Sequence, residues 1–498
     1  MIRERLETAI FRGGDHPDLS LGSPLWWGLA AAALFMALAV LLIGAGSIPL
    51  FVALVVGLAA LTALFIKPSW GLVIIVLLTT VRRFFAVLVG SFGVLTVNRS
   101  LALWLFIAVF LHRFVFRTRD PFHPHPQNRL IMLYGVWFTI CSITALSFAH
   151  SAHVWPNMIS NLGLFFLIYQ LVDDEFKLRV LFIGYIVMLG GGGIISLVGH
   201  KLTGSRLFGD AILAAVEGGG ATVRLEGMAG LRPNNFAVVL VLCILALAVL
   251  SFWKDLKRWQ RGLVIGLNIS FLLLLTQTLS RTGMLLFVIA ATVFIVRFRQ
   301  RIGTGRLVAG AAIVFVLLAA VASKDLVTRF ASISKVKDLT LSEDQSISNR
   351  IGLTLLLPRI VAINPVFGIG PGNFPYLTSR LDYRDYVARN LSGQGYRSHN
   401  QYAQLIGETG IIGFAIFMVL LAACVKDLLA CRRLVAGSEG TFLWCLVEAL
   451  TMMIPLLLLA AATLEVVTKP SFWLFMALPI IARRLLEREV QEPLAPAA

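Results

Sequence analysis

The chain is a series of long apolar runs separated by short polar segments. The runs approach the roughly 20 residues that an α-helix needs to cross ~30 Å of hydrocarbon, and they lack the alternation of a membrane barrel. Because a backbone in lipid has to pair its own N–H and C=O groups, the runs predict transmembrane helices. The predicted spans are 25–44, 48–66, 69–89, 100–116, 130–149, 155–172, 180–199, 234–253, 262–279, 281–296, 307–322, 401–425, 441–462 and 470–483.

Composition supports the same fold class. The 498 residues are 58% hydrophobic and 14% charged, whereas soluble domains are about half apolar and about a quarter charged. We therefore predict an all-α polytopic membrane protein with about 12–14 transmembrane helices. The region 69–116 leaves the number open, because Arg82 and Arg83 interrupt it.

The charge of the short loops predicts the orientation. Loops 117–129, 254–261, 297–306 and 426–433 are strongly basic, and alternation places them on one side. Basic loops face the cytoplasm, so both termini should lie there. These loops also explain the net charge of +17, and we expect no nucleic-acid partner. The bacterial inner membrane is the predicted location, with membrane lipid as a partner.

The pattern divides the chain into five parts. Segments 200–233 and 323–400 should face outward, into the periplasm, and the apolar stretch 349–363 predicts a short interfacial helix. The predicted parts are a cytoplasmic tail (1–24), an N-terminal transmembrane bundle (25–199), a region with the candidate chemistry (200–425, including the large periplasmic loop 323–400), C-terminal transmembrane helices (426–484) and a second cytoplasmic tail (485–498).

Three outward-facing segments carry basic residues at the predicted membrane border. The segments are 223–235, 279–283 and 395–413, and their basic residues are Arg224, Arg232, Arg281, Arg397 and His399. Arg281 is the most informative, because an arginine at a membrane border is costly and is a functional candidate by default. Snorkelling to lipid headgroups is the structural alternative. Guanidinium groups bind phosphate in a fixed, bidentate way, so converging arginines would suit a pyrophosphate.

His399 is the candidate general base. Neighbouring arginines disfavour the imidazolium, and a neutral imidazole can accept a proton. A purely structural histidine at a helix start is the alternative. The following glycines, Gly407, Gly410 and Gly413, permit close helix packing.

Two glycine-rich segments are better explained by backbone geometry than by ligands. GIGPGNF (368–374) lacks the Lys-Ser/Thr of a phosphate-binding loop and predicts a turn. GGGG (190–193) predicts close packing or a helix break. The sequence contains no metal-binding motif and no plausible disulfide among its five cysteines, so we expect neither a metal nor another cofactor.

The His399 segment resembles the O-antigen ligase family. His399-Asn400, with Gly410 and Gly413 downstream and Glu408 just before them, is similar to the His-Asn…Gly…Gly signature of that family. This family also includes oligosaccharide polymerases and protein O-oligosaccharyltransferases.

Three further motifs extend the resemblance over roughly 200–425. Residues 280–283 resemble the family's Ser-Arg element, and 368–374 resemble its glycine-rich periplasmic stretch. Arg224, Gly227 and Pro233-Asn234 fit a third element, although Arg232 replaces the expected asparagine before the proline.

The resemblance implies a GT-C-like fold and a metal-free, inverting transfer. A glycan would leave undecaprenyl diphosphate and join an acceptor hydroxyl in the periplasm, with Arg281 and Arg224 on the diphosphate and His399 as the base. The further substrate-binding candidates are Arg350, Arg232, Arg397, Tyr396, Asn400 and Gln401.

Several alternatives stay open at this point. The acceptor could be lipid A core, the growing glycan of an exopolysaccharide or O-antigen, or a protein hydroxyl. Polysaccharide-assembly proteins are expected as further partners. A flippase or transporter of lipid-linked oligosaccharide predicts polar residues along a path within the membrane and paired halves. A non-catalytic scaffold gives no reason for His399 and Arg281 to share a face.

Overall fold

The computed structural model describes most of the chain outside its N-terminal region. The described residues are 65–80, 97–115, 123–203, 212–215, 221–225, 231–305, 353, 356–378 and 398–491. The chain forms two compact units, one of residues 1–72 and 100–121 and the other of 73–99 and 122–498. The candidate site belongs to the second unit.

The described elements are almost all helical. In chain order they are α1 (Pro68–Thr79), α2 (Val97–Phe110, followed by a π-helical turn at Leu111–Val115), α3 (Pro126–Ile143), α4 (Phe148–Leu171), α5 (Glu175–Thr203), β1 (Ile212–Ala215), β2 (Ala221–Arg224), α6 (Pro233–Leu250), α7 (Arg258–Gln277), α8 (Arg281–Ile302), α9 (Leu357–Ile363), α10 (Asn373–Thr378), α11 (Gln401–Leu434), α12 (Phe442–Ala461) and α13 (Pro470–Gln491).

The prediction of a helical, polytopic membrane protein is confirmed. Six described helices are long and apolar enough to cross a membrane: α5 (over Glu175–Val198), α6, α7, α8, α11 and α12. The hairpin of β1 and β2, which pairs Ile212 with Arg224, was not predicted. The predicted spans 25–44, 48–66 and 307–322 lie outside the described residues, so the total of about 12–14 spans stays a prediction.

Helices α6 and α12 form the core of the second unit. They pack against each other, and α7 and α8 also pack against α6. Both central helices are buried around most of their circumference, as expected for helices that are apolar on all sides. A Cβ at Gly190 would lie 1.7 Å from Phe271, and one at Gly193 would lie 2.8 Å from Leu274. The tetraglycine therefore serves close packing, and α5 continues through it.

The packed helices place their connections at two ends. One end, which we call the site end, comprises residues 144–147, 225, 231–232, 278–280, 364–372, 398–400 and 462–469. The other, the network end, comprises residues 123–125, 172–174, 251–257 and 435–441. Hydrogen bonds between connections support this grouping. Leu146 N donates to Ile369 O at the site end (3.0 Å), and Lys254 N donates to Gly440 O at the network end (2.9 Å).

A paired carboxylate organises part of the network end. Asp427, near the end of α11, is buried. It accepts hydrogen bonds from Gln127 Nε2 (2.7 Å) and from Arg483 Nη1 (2.9 Å). His125 Nε2 lies 3.7 Å from the same carboxylate. The network thus joins α3, α11 and α13 through charge-assisted hydrogen bonds.

Candidate active site

His399 lies in a constrained turn directly before α11. Its φ of 50° is in the left-handed region that side chains other than glycine rarely adopt. Ser398 Oγ stabilises this turn by donating to Asn400 O (2.8 Å). Asn400 Oδ1 caps the helix by accepting from Tyr402 N (3.0 Å) and Ala403 N (3.2 Å). The backbone therefore holds His399, which is half-buried, in a defined position at the helix start.

Helix α11 is broken about three turns after His399. Gly410 has φ 69° and ψ −177°, a conformation that is essentially restricted to glycine. The break deprives the preceding carbonyls of their helical N–H donors, but N–H groups of the glycine-rich segment 368–374 replace these donors. Ile369 N donates to Gly407 O (2.9 Å) and Gly370 N donates to Glu408 O (3.0 Å). Residues 368–372 form a turn, as predicted, and residues 373–374 begin α10. The turn donates hydrogen bonds to the backbone of the broken helix.

Trp137 completes this pairing from α3. Its Nε1 donates to Thr409 O (3.0 Å), and its ring stacks on Phe367 with centroids 5.2 Å apart. Three successive carbonyls at the break thus have donors from outside the helix. Since an unpaired carbonyl is costly in a membrane, these contacts allow α11 to break there.

Asn373 and Glu408 fix the glycine-rich turn. Asn373 is buried, accepts from Ser147 N (2.9 Å) and donates to Ser151 Oγ (2.9 Å). Glu408 Oε1 accepts from Phe374 N (3.3 Å) and from Gln404 Nε2 (3.3 Å). The half-helix that follows His399 is therefore connected to both α3 and α4.

Arg281 is the first residue of α8 and is half-buried. Ser280 caps the helix by accepting from Gly283 N (3.1 Å), and Leu279 before it has a φ of 49°. A Cβ at Gly283 would lie 2.5 Å from Ala237 Cβ, so the start of α8 packs directly on the start of α6. Arg281 thus begins a helix whose first turn packs on the start of a second helix.

The segment of Arg224 lies beside this turn. Arg224 ends β2, and the next residue, Leu225, donates its N–H to Gln277 O at the end of α7 (3.1 Å). Arg232 is exposed at the N-cap of α6. The backbones of the first two predicted segments therefore meet at the site end.

The connection between α12 and α13 joins these segments to the third one. Asn235 Nδ2 donates to Glu465 O (3.4 Å), and Gln401 Oε1 accepts from Val467 N (3.0 Å). One short connection thus contacts both the start of α6 and the start of α11. The sequence motifs did not single it out, although Glu465 is a carboxylate within an apolar turn and such a residue is costly near a membrane.

The structure places the other predicted residues as follows. The side-chain oxygens of Asn400 and Gln401 are engaged in the helix cap and in the contact to Val467, so their role in substrate binding stays a prediction. Arg350, Tyr396 and Arg397 lie outside the described residues. Among the residues that the structure describes, no group of three or more His, Cys, Asp or Glu side chains could hold a metal ion.

The segment that contains Arg281 and His399 matches a known family. Residues 266–418 match the family model described as O-antigen ligase. The predicted resemblance to the O-antigen ligase family is confirmed. The match covers the turn of Arg281, the glycine-rich turn and the His-Asn turn, and it supports glycan transfer in a membrane. No curated protein matches the chain.

Proposed function

We propose that this O-antigen ligase-like protein transfers a glycan from undecaprenyl diphosphate to an acceptor hydroxyl. The observation that supports this most strongly is the convergence of three predicted motifs at one end of the helix bundle. Leu225 contacts the end of α7, α8 packs on α6, and one connection contacts both Asn235 and Gln401. The segment 266–418 supplies the family context.

The donor side of the reaction rests on Arg281 and Arg224. When the bond between the anomeric carbon and the diphosphate breaks, its electron pair remains on the leaving oxygen. A guanidinium group can hold two phosphate oxygens at once and neutralise the developing charge. Arg281 is well suited because its helix start is rigidly capped and packed on α6.

The acceptor side rests on His399. Its imidazole takes the proton of the acceptor hydroxyl while the acceptor oxygen attacks the anomeric carbon from the face opposite the diphosphate. This attack inverts the anomeric centre and requires no metal. The capped, left-handed turn holds the imidazole in place before the substrate binds, as efficient proton transfer needs. The acceptor is lipid A core or a second glycan.

We further propose that the site end faces the periplasm. The basic segments of the network end, such as 254–261, which includes the start of α7, are of the kind that stays in the cytoplasm. In a cysteine-free background, a cysteine at position 258 should resist a membrane-impermeant thiol reagent, and one at position 390 should react. The reverse labelling pattern would rule out a periplasmic site.

The donor contact is tested by replacing Arg281. Arg281→Ala should lower the transfer rate by roughly 30- to 1000-fold, which corresponds to about 2–4 kcal/mol of lost transition-state stabilisation. Arg281→Lys should recover only part of the rate, because lysine lacks the planar fork. The assay uses purified protein, a synthetic undecaprenyl-diphosphate oligosaccharide, and either lipid A core or a second donor glycan as acceptor.

A control lies at the other end of the same helix. Arg299 is exposed in the last turn of α8, so Arg299→Ala should retain the wild-type rate. Added EDTA should also leave the rate unchanged. Full activity of Arg281→Ala would show that the arginine only snorkels, and strict dependence on a divalent ion would contradict the metal-free mechanism.

A further inference from the structure

The connection between α12 and α13 carries a buried carboxylate that the proposed mechanism does not use. Glu465 is 8% exposed, and the neighbouring Leu464, Val466 and Val467 are buried as well. Moving an ionised carboxylate away from water is costly unless a cation or hydrogen-bond donors compensate. A carboxylate at this place therefore interacts with the polar and charged groups of the site end.

Contacts from four helices fix this connection. Asn235 of α6 donates to Glu465 O, and Gln401 of α11 accepts from Val467 N. Asn161 Nδ2 of α4 donates to Thr468 O (3.1 Å), and Trp473 Nε1 of α13 donates to Val467 O (2.7 Å). A segment held in this way can keep a carboxylate in one place.

Glu465 is close to the start of α11. It stands two positions before Val467, and His399 stands two positions before Gln401, the partner of Val467. The contact between Gln401 and Val467 thus brings the two turns that carry His399 and Glu465 side by side.

We propose that Glu465 is a positioning residue that acts through His399. This inference rests on the proposed function, in which His399 accepts the acceptor's proton. The imidazole becomes a cation when the acceptor O–H bond breaks, and a fixed carboxylate nearby stabilises that cation and orients the ring. The proton stays on His399 until the polyprenyl diphosphate has left, and it then passes to solvent.

Other charged groups at the site end contribute to the electrostatic potential at the His399 imidazole. On the elements packed around the two turns they are Glu408 on α11, Arg232 before α6, Arg281 on α8 and Lys469 in the connection, and the sequence adds Arg224 and Arg397. Most of these groups are cationic and disfavour a charged imidazole. A carboxylate is the group type that offsets them.

The test is the pH dependence of transfer in Glu465→Gln. The amide keeps the size of the side chain and removes its charge. We expect kcat to fall about 10- to 100-fold, less than the ~10²–10⁴-fold of a general base, with the donor KM unchanged. Without the carboxylate the imidazole takes a proton only at lower pH. The acid limb, which is the part of the pH–rate profile where the rate falls as the base is protonated, should therefore move to lower pH by about one unit.

Two variants make the result interpretable. Glu465→Asp retains the negative charge, but its shorter side chain holds that charge farther from the imidazole. Its acid limb should therefore move to lower pH as well, by a smaller amount than in Glu465→Gln. It also serves as the test if Glu465→Gln fails to fold. Glu439, which precedes α12 at the network end and pairs with Arg301, provides the control. Glu439→Gln should leave both kcat and the acid limb unchanged.

The outcomes separate this inference from the proposed function. A purely structural residue would not change the pH at which the rate falls in acid. If the Glu465 variants show the same acid limb as the wild type, the proposed role of Glu465 is overturned, whatever their kcat. Retained transfer in His399→Ala would instead overturn the base itself, and with it the proposed function.

Discussion

The two ends of helix α11 differ in how their polar groups are held. At the network end, Asp427 has direct partners on two other helices, Gln127 and Arg483. At the site end, the helix is capped by its own Asn400 and broken at Gly410, and His399 has a left-handed backbone. A paired carboxylate stabilises helix packing, whereas a capped turn can present a side chain to a substrate.

The distribution of backbone strain follows the same division. Among the described residues, the non-glycine positions with a positive φ are Leu279 and His399, and both lie at the site end. Such conformations cost roughly 1–3 kcal/mol and concentrate at functional sites. One of them adjoins the turn of Arg281 and the other is the candidate base, so the strain supports the choice of this end as the active one.

The largest expected effect on stability comes from the break in α11. A Cβ at Gly410 would lie 2.0 Å from Val366 O, in a backbone conformation that excludes other residues. Gly410→Ala should therefore destabilise the protein by about 2–6 kcal/mol, combining ~1–3 for strain and ~1–3 for overpacking. The measurement is thermal unfolding of purified protein in detergent.

Gly437 is the matched control beyond the other end of α11. It also has a positive φ, of 92°, but a Cβ added there would meet no atom within 4 Å. Gly437→Ala should cost only about 1–2 kcal/mol, the penalty for a left-handed alanine. Equal losses for the two variants would show that the glycine-rich turn does not constrain the break.

A smaller effect is expected at the paired carboxylate. Asp427→Asn removes the charge that binds Arg483, and it should lower stability by about 1–3 kcal/mol. The loss is moderate because Arg483 keeps a second partner, Glu487 (2.7 Å). Thermal unfolding measures this change. Transfer activity per folded molecule should not change, and a large loss of that activity would contradict the division between the two ends.

The sequence was sufficient to predict several of the described helices, because each of these apolar runs is long enough to form one. The predicted span 234–253 is observed as Pro233–Leu250, and 441–462 is observed as Phe442–Ala461. The basic residues of the site end could also be predicted, since an arginine at a membrane border is costly in any fold. The structure places Arg281 at the start of α8, and its position at the membrane border stays a prediction.

The contacts that hold the site could not be predicted from the sequence. The donors at the break in α11 include Trp137, which is distant in the chain from Thr409 and carries no charge to mark it. Gly410 suggested close packing, but its positive φ depends on the turn that contacts it. Glu465 became a candidate only when the structure showed its connection contacting both Asn235 and Gln401.

The central claim is that His399 at the site end performs proton transfer, and His399→Ala tests it most directly. Transfer from the synthetic undecaprenyl-diphosphate oligosaccharide should fall by ~10²–10⁴-fold, while binding of undecaprenyl diphosphate persists because the arginines remain. His399→Gln should be equally inactive, since an amide cannot take a proton. The wild-type rate should fall in mildly acid solution, in which imidazole side chains become protonated. Turnover retained by a folded His399→Ala protein would contradict the account.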